Sequence, residues 1–158
     1  MPTKIPEISE TMEQIPTDLG TYIIVAYCSN PSEIIVGAKG PVRLKRGYYY
    51  YVGSAFGPGG LRARLKHHLS TSPKPFWHFD YLKQGLKLES ILFSTEAKPL
   101  EHQWAQYIAN LQEIYVPIKR MGASDCRCPS HFFFSAKALS FNKILQVTSV
   151  KCDVLNSV

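Results

Sequence analysis

Residues 48–69 constrain the fold more than any other stretch of the chain. Tyr48, Tyr49, Tyr50, Tyr51 and Val52 follow one another without a break, and aromatic and β-branched side chains suit a pleated, half-buried strand. The next residues, Gly53-Ser54-Ala55-Phe56-Gly57-Pro58-Gly59-Gly60, carry the glycines and proline of a turn or loop. From Leu61 the period changes: Leu61, Leu65 and Leu69 recur at every fourth position and form one apolar stripe of a helix. Arg64 and His68 share a neighbouring face, and Arg62 and Lys66 make a third, basic row. A strand ending in glycine thus feeds a loop and then a helix that projects Arg and His together. Such a unit suits an anionic, oxygen-rich ligand such as a phosphodiester. The same residues equally describe a βα unit whose helix shows a basic face to solvent.

The remaining segments are read around that unit. Gly20-Thr21-Tyr22-Ile23-Ile24-Val25-Ala26-Tyr27-Cys28 is apolar nearly throughout, as expected of a central strand covered on both faces. Ser29-Asn30-Pro31-Ser32 is a turn, residues 33–37 a short strand, and residues 42–45 the returning arm of a hairpin. After the helix, residues 76–82 have helical apolar spacing through Trp77, Tyr81 and Leu82, with a stop at Gly85. Residues 86–94 read as a strand. Pro99 suits the first position of a helix, whose stripe is Leu100, Trp104, Tyr107, Ile108 and Leu111. Glu101 falls in its first turn, where the helix dipole favours an anion. Residues 132–135 suggest an edge strand, residues 136–147 have mixed helical character, and residues 151–158 a frayed end. The expected fold is α/β of the α+β type: a small, mainly antiparallel central sheet flanked by helices, with an added β-hairpin between the two main strands. The expected division is a mobile arm at 1–18, from which Ile15 tucks against the core, a single domain at 19–147 and a tail at 148–158.

A chain of 158 residues can bury one substantial core. Its net charge of +6 and pI near 9.2 point toward a polyanionic partner, nucleic acid before an anionic membrane surface. Residues 1–14 are polar and interrupted by Pro2 and Pro6, and no apolar run approaches membrane-spanning length. A cytoplasmic protein is therefore expected. The 4 cysteines, Cys28, Cys126, Cys128 and Cys152, are too unevenly spaced for a disulfide framework.

The strand, loop and helix residues together resemble the GIY-YIG nuclease superfamily. Gly20-Thr21-Tyr22 stands where that family has Gly-Ile-Tyr, and Tyr51-Val52-Gly53 where it has Tyr-Ile-Gly, followed here by Ser54-Ala55. Leu61-Arg62-Ala63-Arg64-Leu65 fits its Leu-x-x-Arg pattern with Arg64 as the family arginine, His68 matches a helix histidine, and Glu101 opens a later helix as the family's metal-binding glutamate does. A prokaryotic branch is more similar still. Its pattern continues from Tyr-Val-Gly-Ser-Ala through Gly-Pro-Gly-Gly-Leu to a Trp-His-x-Asp-Tyr-Leu segment and a Ser-Asp-Cys-x-Cys-x-Ser-His segment. Here these are residues 51–61, 77–82 and 124–131. The gap between the first two motifs is longer than in a minimal member, which is where the added hairpin falls. The asparagine that closes many family sites has no counterpart that can be placed, and Asp125 and His131 are candidates to complete the polar site.

The resemblance implies metal-assisted hydrolysis of DNA phosphodiesters. Arg64 would hold the phosphate oxygens through its planar donor fork, and Glu101 one Mg²⁺ or Mn²⁺ per active site. Tyr22 would take a proton from the attacking water or orient it, provided that nearby cations lower its ordinary pKa of ~10. Tyr51 would orient Tyr22 or the water, and His68 would act as helper base or donor. Gly53, Ser54, Arg62, Lys66 and His78 are the expected substrate contacts. Each has a plainer reading: Tyr22 and Tyr51 as core tyrosines, Arg64 as a surface cation, Glu101 as a helix-start carboxylate, and His78 and Asp80 as a satisfied histidine and a helix cap rather than a cleft rim. Tyr48, Tyr49 and Tyr50 are expected to pack, and His67 to face solvent. Cys126, Cys128 and His131, with Cys28, Cys152 or His78 as a fourth ligand, invite a zinc reading. The Cys-x-Cys spacing is not that of a common zinc knuckle, so zinc is not expected and the loop is read as buried thiols beside the site. The partner is nucleic acid, DNA by resemblance, with no membrane and with room for a partner protein or domain that supplies specificity. The alternative function is a nucleic-acid-binding module on the same fold that does not cut.

Overall fold

Strand β1 (Gly20–Cys28) runs through the middle of the molecule. In the computed structural model, residues 13–69, 78–121, 128–139 and 153–156 are described. After β1 come the hairpin strands β2 (Ser32–Ile35) and β3 (Pro41–Leu44), then β4 (Gly47–Ala55), α1 (Gly60–Leu69), α2 (His78–Leu82) and β5 (Lys87–Ser94). The chain ends with α3 (Glu101–Ala109), β6 (Phe132–Ser135) and β7 (Asp153–Asn156). Among the described residues β2 pairs with β3 in a two-stranded sheet, and the other strands form a sheet in the order β6-β4-β1-β5-β7, every pairing antiparallel. This is the α+β architecture expected from the sequence, with the hairpin inserted between β1 and β4. Among the described residues no helix is long and apolar enough to cross a membrane.

β1 is apolar apart from Thr21 because both of its faces are covered. Since side chains alternate along a strand, Tyr22, Ile24 and Cys28 face one way with Tyr49 and Tyr51 of β4, and there meet Leu61 and Leu65 of α1 and Phe79 and Leu82 of α2. Ile23 and Val25 face the other way with Tyr50 and Val52, and meet Leu100, Trp104 and Ile108 along α3. Trp104 is buried to 1 % exposure, so truncating it to Ala would cost about 3–5 kcal/mol.

The tyrosine run divides as the packing reading expected. Tyr49 stacks on Phe132, with its hydroxyl accepting from the Lys45 amide. Tyr50 Oη lies 2.9 Å from Ser135 Oγ and accepts from the Leu139 amide. Ile15 is fully buried in the first core, whereas residues 1–12 lie outside the described part.

Several local expectations change. Leu100 is the residue before α3, so Pro99 precedes the helix rather than opening it. Tyr107 is 41 % exposed and lies outside the buried stripe, and Leu111 packs against the core from beyond the helix end. The C-terminal stretch read as frayed contributes β7, paired with β5 from Ser90↔Asn156 to Phe93↔Asp153. Only Val154 and Leu155 of this stretch are apolar, between Asp153 and Asn156, too weak a pattern to read as a strand; pairing with the edge of β5 makes it one. Of the segment read as mixed helix, residues 136–139 are irregular and residues 140–147 lie outside the described part.

β6 stops early. Its register ends at Tyr51↔Phe132, and one further bond joins the Val52 amide to the His131 carbonyl at 2.9 Å. Past that point β4 continues to Ala55 with β1, alone among the described strands, beside it, and groups from both sides of the sheet meet there.

Candidate active site

Tyr22 and Gly53 are direct partners across β1 and β4. A Cβ built on Gly53 would collide with the Tyr22 hydroxyl and ring, so the ring lies over the glycine backbone and only hydrogen fits beneath it. Gly53→Ala is expected to displace the ring and destabilise the fold by about 1–3 kcal/mol, as overpacking generally does. Urea titration of the variant checks this, and an unchanged midpoint would show that the ring is not held there.

α1 is fixed at its start by the arm. The amides of Leu61 and Arg62 donate to the carbonyls of Asp18 and Pro16 at 2.9 and 3.0 Å, and Arg62 Nε donates to the Ile15 carbonyl at 2.7 Å. Gly60, at φ 59°, has no room for a side chain, since a Cβ would meet the Thr17 carbonyl. The buried face of α1 is Leu61, Leu65 and His68, with Leu69 only half-buried. A histidine therefore continues the apolar stripe inward.

His68 Nε2 lies 2.9 Å from the Tyr22 hydroxyl oxygen, and its Nδ1 lies 3.3 Å from Asp80 Oδ1. An ionised carboxylate only accepts, so Asp80 fixes the proton on Nδ1 and leaves Nε2 to accept from Tyr22. The second Asp80 oxygen lies 2.8 Å from His67 Nε2, and Lys83 Nζ is 3.8 Å from the first. Asp80, α2's acidic residue, is thus a buried anchor at 2 % exposure and not a cleft-rim group. His67 is tied to it rather than simply facing solvent.

Burial holds His68 below its ordinary pKa, outweighing the upward pull of Asp80. The folded state therefore binds fewer protons at this position than the unfolded chain does, and stability rises with pH across the shift. The contribution is complete above the ordinary value of 6.5 and is lost as pH falls through the depressed folded value. Melting temperatures should fall on acidification from about pH 7.5 to about pH 5.5, with a smaller fall in His68→Gln; equal slopes would remove this assignment.

Tyr22 corrects the expectation about its own acidity. Burial, then the neighbouring Tyr51, push its hydroxyl well above the ordinary value, while Arg64 draws it down by less. The hydroxyl is consequently neutral and donates to His68. Tyr51 is buried between the stacked ring of Phe79, 4.8 Å away, and the edge of His68, 5.6 Å away. Burial raises its hydroxyl pKa too, Glu101 adds to this and Arg64 opposes it.

α3 brings in the carboxylate from the other face. The Leu100 amide donates to Thr21 Oγ1 at 3.2 Å, which ties the helix start beside Tyr22. Glu101 Oε2 accepts from Ser54 Oγ at 2.8 Å, and Oε1 lies 2.9 Å from His131 Nδ1. Its side chain keeps 21 % exposure, so the carboxylate can still meet a solvent-borne cation. Oxygen donors of this hardness, one carboxylate with tyrosine hydroxyls nearby, suit Mg²⁺ or Mn²⁺ with water and phosphate completing the shell.

Tyr22, Tyr51, Arg64, His68, Glu101, Gly53 and Ser54 are therefore brought together from β1, β4, α1 and α3. A hollow of about 290 Å³, lined by Gly57, Pro58, Ala63, Arg64 and His67, gives access to Arg64. A larger cleft of about 490 Å³ lies elsewhere, among Lys39, Arg43, Lys45, Tyr115 and Lys119. It has basic and aromatic walls but none of the residues that gather around Tyr22.

Arg62 and Lys66 do not join the site. Arg62 is occupied by the Ile15 carbonyl, Lys66 is exposed on α1 away from the buried face, and the side chain of His78 lies outside the described part. Asp125 and Cys126 also lie outside it. Sequence reasoning missed His102 altogether, and missed Asp80 and His131 as the partners of His68 and Glu101. One signal was present: Asp80 is the sole acid between Glu33 and Glu89, and a lone carboxylate in a basic stretch tends to be paired.

Across residues 21–152 the chain matches a family model described as a domain of unknown function, DUF123. No curated protein and no solved structure matches it.

Proposed function

We propose that the chain, which belongs to the DUF123 family, is a divalent-metal-dependent endonuclease of the GIY-YIG type acting on DNA. One observation carries the reading: the Asp80–His68–Tyr22 hydrogen-bond chain ends beside Arg64 and the Glu101 carboxylate. These groups come from separate elements on both sides of a sheet, and core packing alone gives no reason to assemble them.

Each residue has a role that its geometry allows. Arg64 binds the scissile phosphate by its non-bridging oxygens. Glu101 would hold the hard cation, which when bound stabilises charge on the phosphate and the leaving oxygen. Neutral His68 accepts the Tyr22 proton at Nε2 while Tyr22 takes one from the water attacking in line; Asp80 stabilises the imidazolium that results. Tyr51, packed against the His68 edge, keeps the ring in that orientation. Ser54 fixes the Glu101 carboxylate by donating to Oε2.

Labelled single-stranded, duplex, flapped and branched DNAs, incubated with Mg²⁺, Mn²⁺ or chelator, test the reading. Metal-dependent cutting of at least one form supports it. Tight binding without cutting under either metal would leave the second reading, a non-cleaving nucleic-acid-binding module. The raised Tyr22 pKa and the basic, aromatic cleft around Tyr115 favour that module.

A further inference from the structure

The cysteine loop meets α3 at its first turn. Cys128 Sγ lies 3.7 Å from His102 Nδ1, and the rings of His102 and His131 are 5.7 Å apart between centroids. One donor atom from each of His102, Cys128 and His131 lies within 4.8 Å of the other two. Zn–S and Zn–N bonds at a tetrahedral angle separate sulfur from nitrogen by about 3.6 Å, so the His102–Cys128 pair already stands at ligand spacing. Cys128 and His131 are buried and His102 is exposed, so the cluster is anchored in the core and reachable from solvent.

We propose that His102, Cys128 and His131 form a transition-metal site that takes Zn²⁺, with no fourth ligand among the described residues and that position available to water or a substrate oxygen. One thiolate and two imidazoles select zinc-like ions over Mg²⁺, which prefers oxygen. With His131 Nδ1 facing Glu101, Nε2 is the nitrogen that would take the metal. A carboxylate behind a ligating histidine is the usual way of fixing the ring and raising its basicity. The assignment needs no second cysteine: among the described residues Cys28 is buried in the first core and takes no part in this cluster. It is separate from the hard-cation reading of Glu101 and stands or falls independently of DNA cleavage. His131 would nevertheless link the two, because it touches Glu101 from one side and would hold the metal on the other.

Cobalt titration of the chelator-treated full chain tests the site. Wild type should bind one equivalent, with a thiolate-to-cobalt charge-transfer band and the visible bands of four-coordinate cobalt, and Zn²⁺ should displace it. Cys128→Ser should lose the charge-transfer band, and His102→Gln should weaken binding by about 10-fold or more. His102 is exposed, so its variant should keep the wild-type far-ultraviolet dichroism. Glu101→Gln removes the carboxylate behind His131 and should weaken cobalt binding, yet at saturating cobalt it should keep the charge-transfer band even where DNA cleavage is lost, which separates this site from the nuclease reading. No stoichiometric binding of cobalt or zinc by wild type would overturn the proposal. So would unchanged affinity in both Cys128→Ser and His102→Gln.

Discussion

Glu101→Gln is expected to reduce metal-dependent DNA cleavage by about 10³-fold, the scale on which one preorganised electrostatic group typically acts. The amide keeps the size of the side chain and an oxygen able to accept from Ser54, which donates to Glu101 Oε2 at 2.8 Å. It removes the negative charge that would hold a hard divalent cation. DNA affinity should be unchanged or tighter, because a carboxylate beside a bound phosphate is repulsive and its loss leaves Arg64 unopposed. The loss should therefore fall on the cleavage step and not on binding, as measured by single-turnover cleavage together with equilibrium binding in Mg²⁺. Cleavage within a few-fold of wild type would move the metal to another residue. Loss of binding in parallel with cleavage would indicate instead that the variant has lost the start of α3, where Leu100 is tied to Thr21.

The second large effect belongs to Tyr22. Tyr22→Phe removes only a hydroxyl, yet the cleavage rate should drop by about 10²–10⁴-fold if that hydroxyl passes a proton to His68. The pH profile distinguishes this from general damage. His68 works as an acceptor only when neutral, and burial holds its pKa below the ordinary 6.5. Wild-type cleavage should be sustained above that value and fall as pH drops through the depressed one, whereas Tyr22→Phe should be slow throughout with no such limb. Combining Tyr22→Phe with His68→Ala should add little to either alone, since residues that move one proton act as a unit. A rate within about threefold of wild type, or additive losses in the double variant, would reduce Tyr22 to a core tyrosine. The variant should fold, at a cost of about 1–3 kcal/mol for leaving the buried His68 Nε2 without its donor.

Much of the fold was legible because its signals are local. A nine-residue run apolar nearly throughout had to be β1 covered on both faces, and Tyr48 to Val52 had to be strand because little else accommodates consecutive aromatic rings. The period change at Leu61 marked α1, since its burial is a one-dimensional pattern. β7 was not legible: Asp153-Val154-Leu155-Asn156 carries only two apolar residues and is a strand because β5 offers it an edge.

The candidate site divides along the same line. Tyr22, Tyr51, Arg64, His68 and Glu101 each lie in a motif with its own spacing, so their types and their order are written in the chain. Their chemistry is not. Whether Tyr22 is acidic or neutral depends on how deeply two faces of a sheet bury it, and here burial outweighs Arg64. Asp80 reaches His68 across twelve residues, and His131 reaches Glu101 across thirty, through a loop and a strand end that no periodicity encodes. His102 beside Cys128 is likewise a meeting of α3 with a distant loop. The sequence alone determined which elements form and which reactive side chains they carry, because backbone propensity and burial pattern act between near neighbours. Only the tertiary structure decided which of those side chains share a proton, a charge or a prospective metal, because desolvation and hydrogen bonding depend on distances in space.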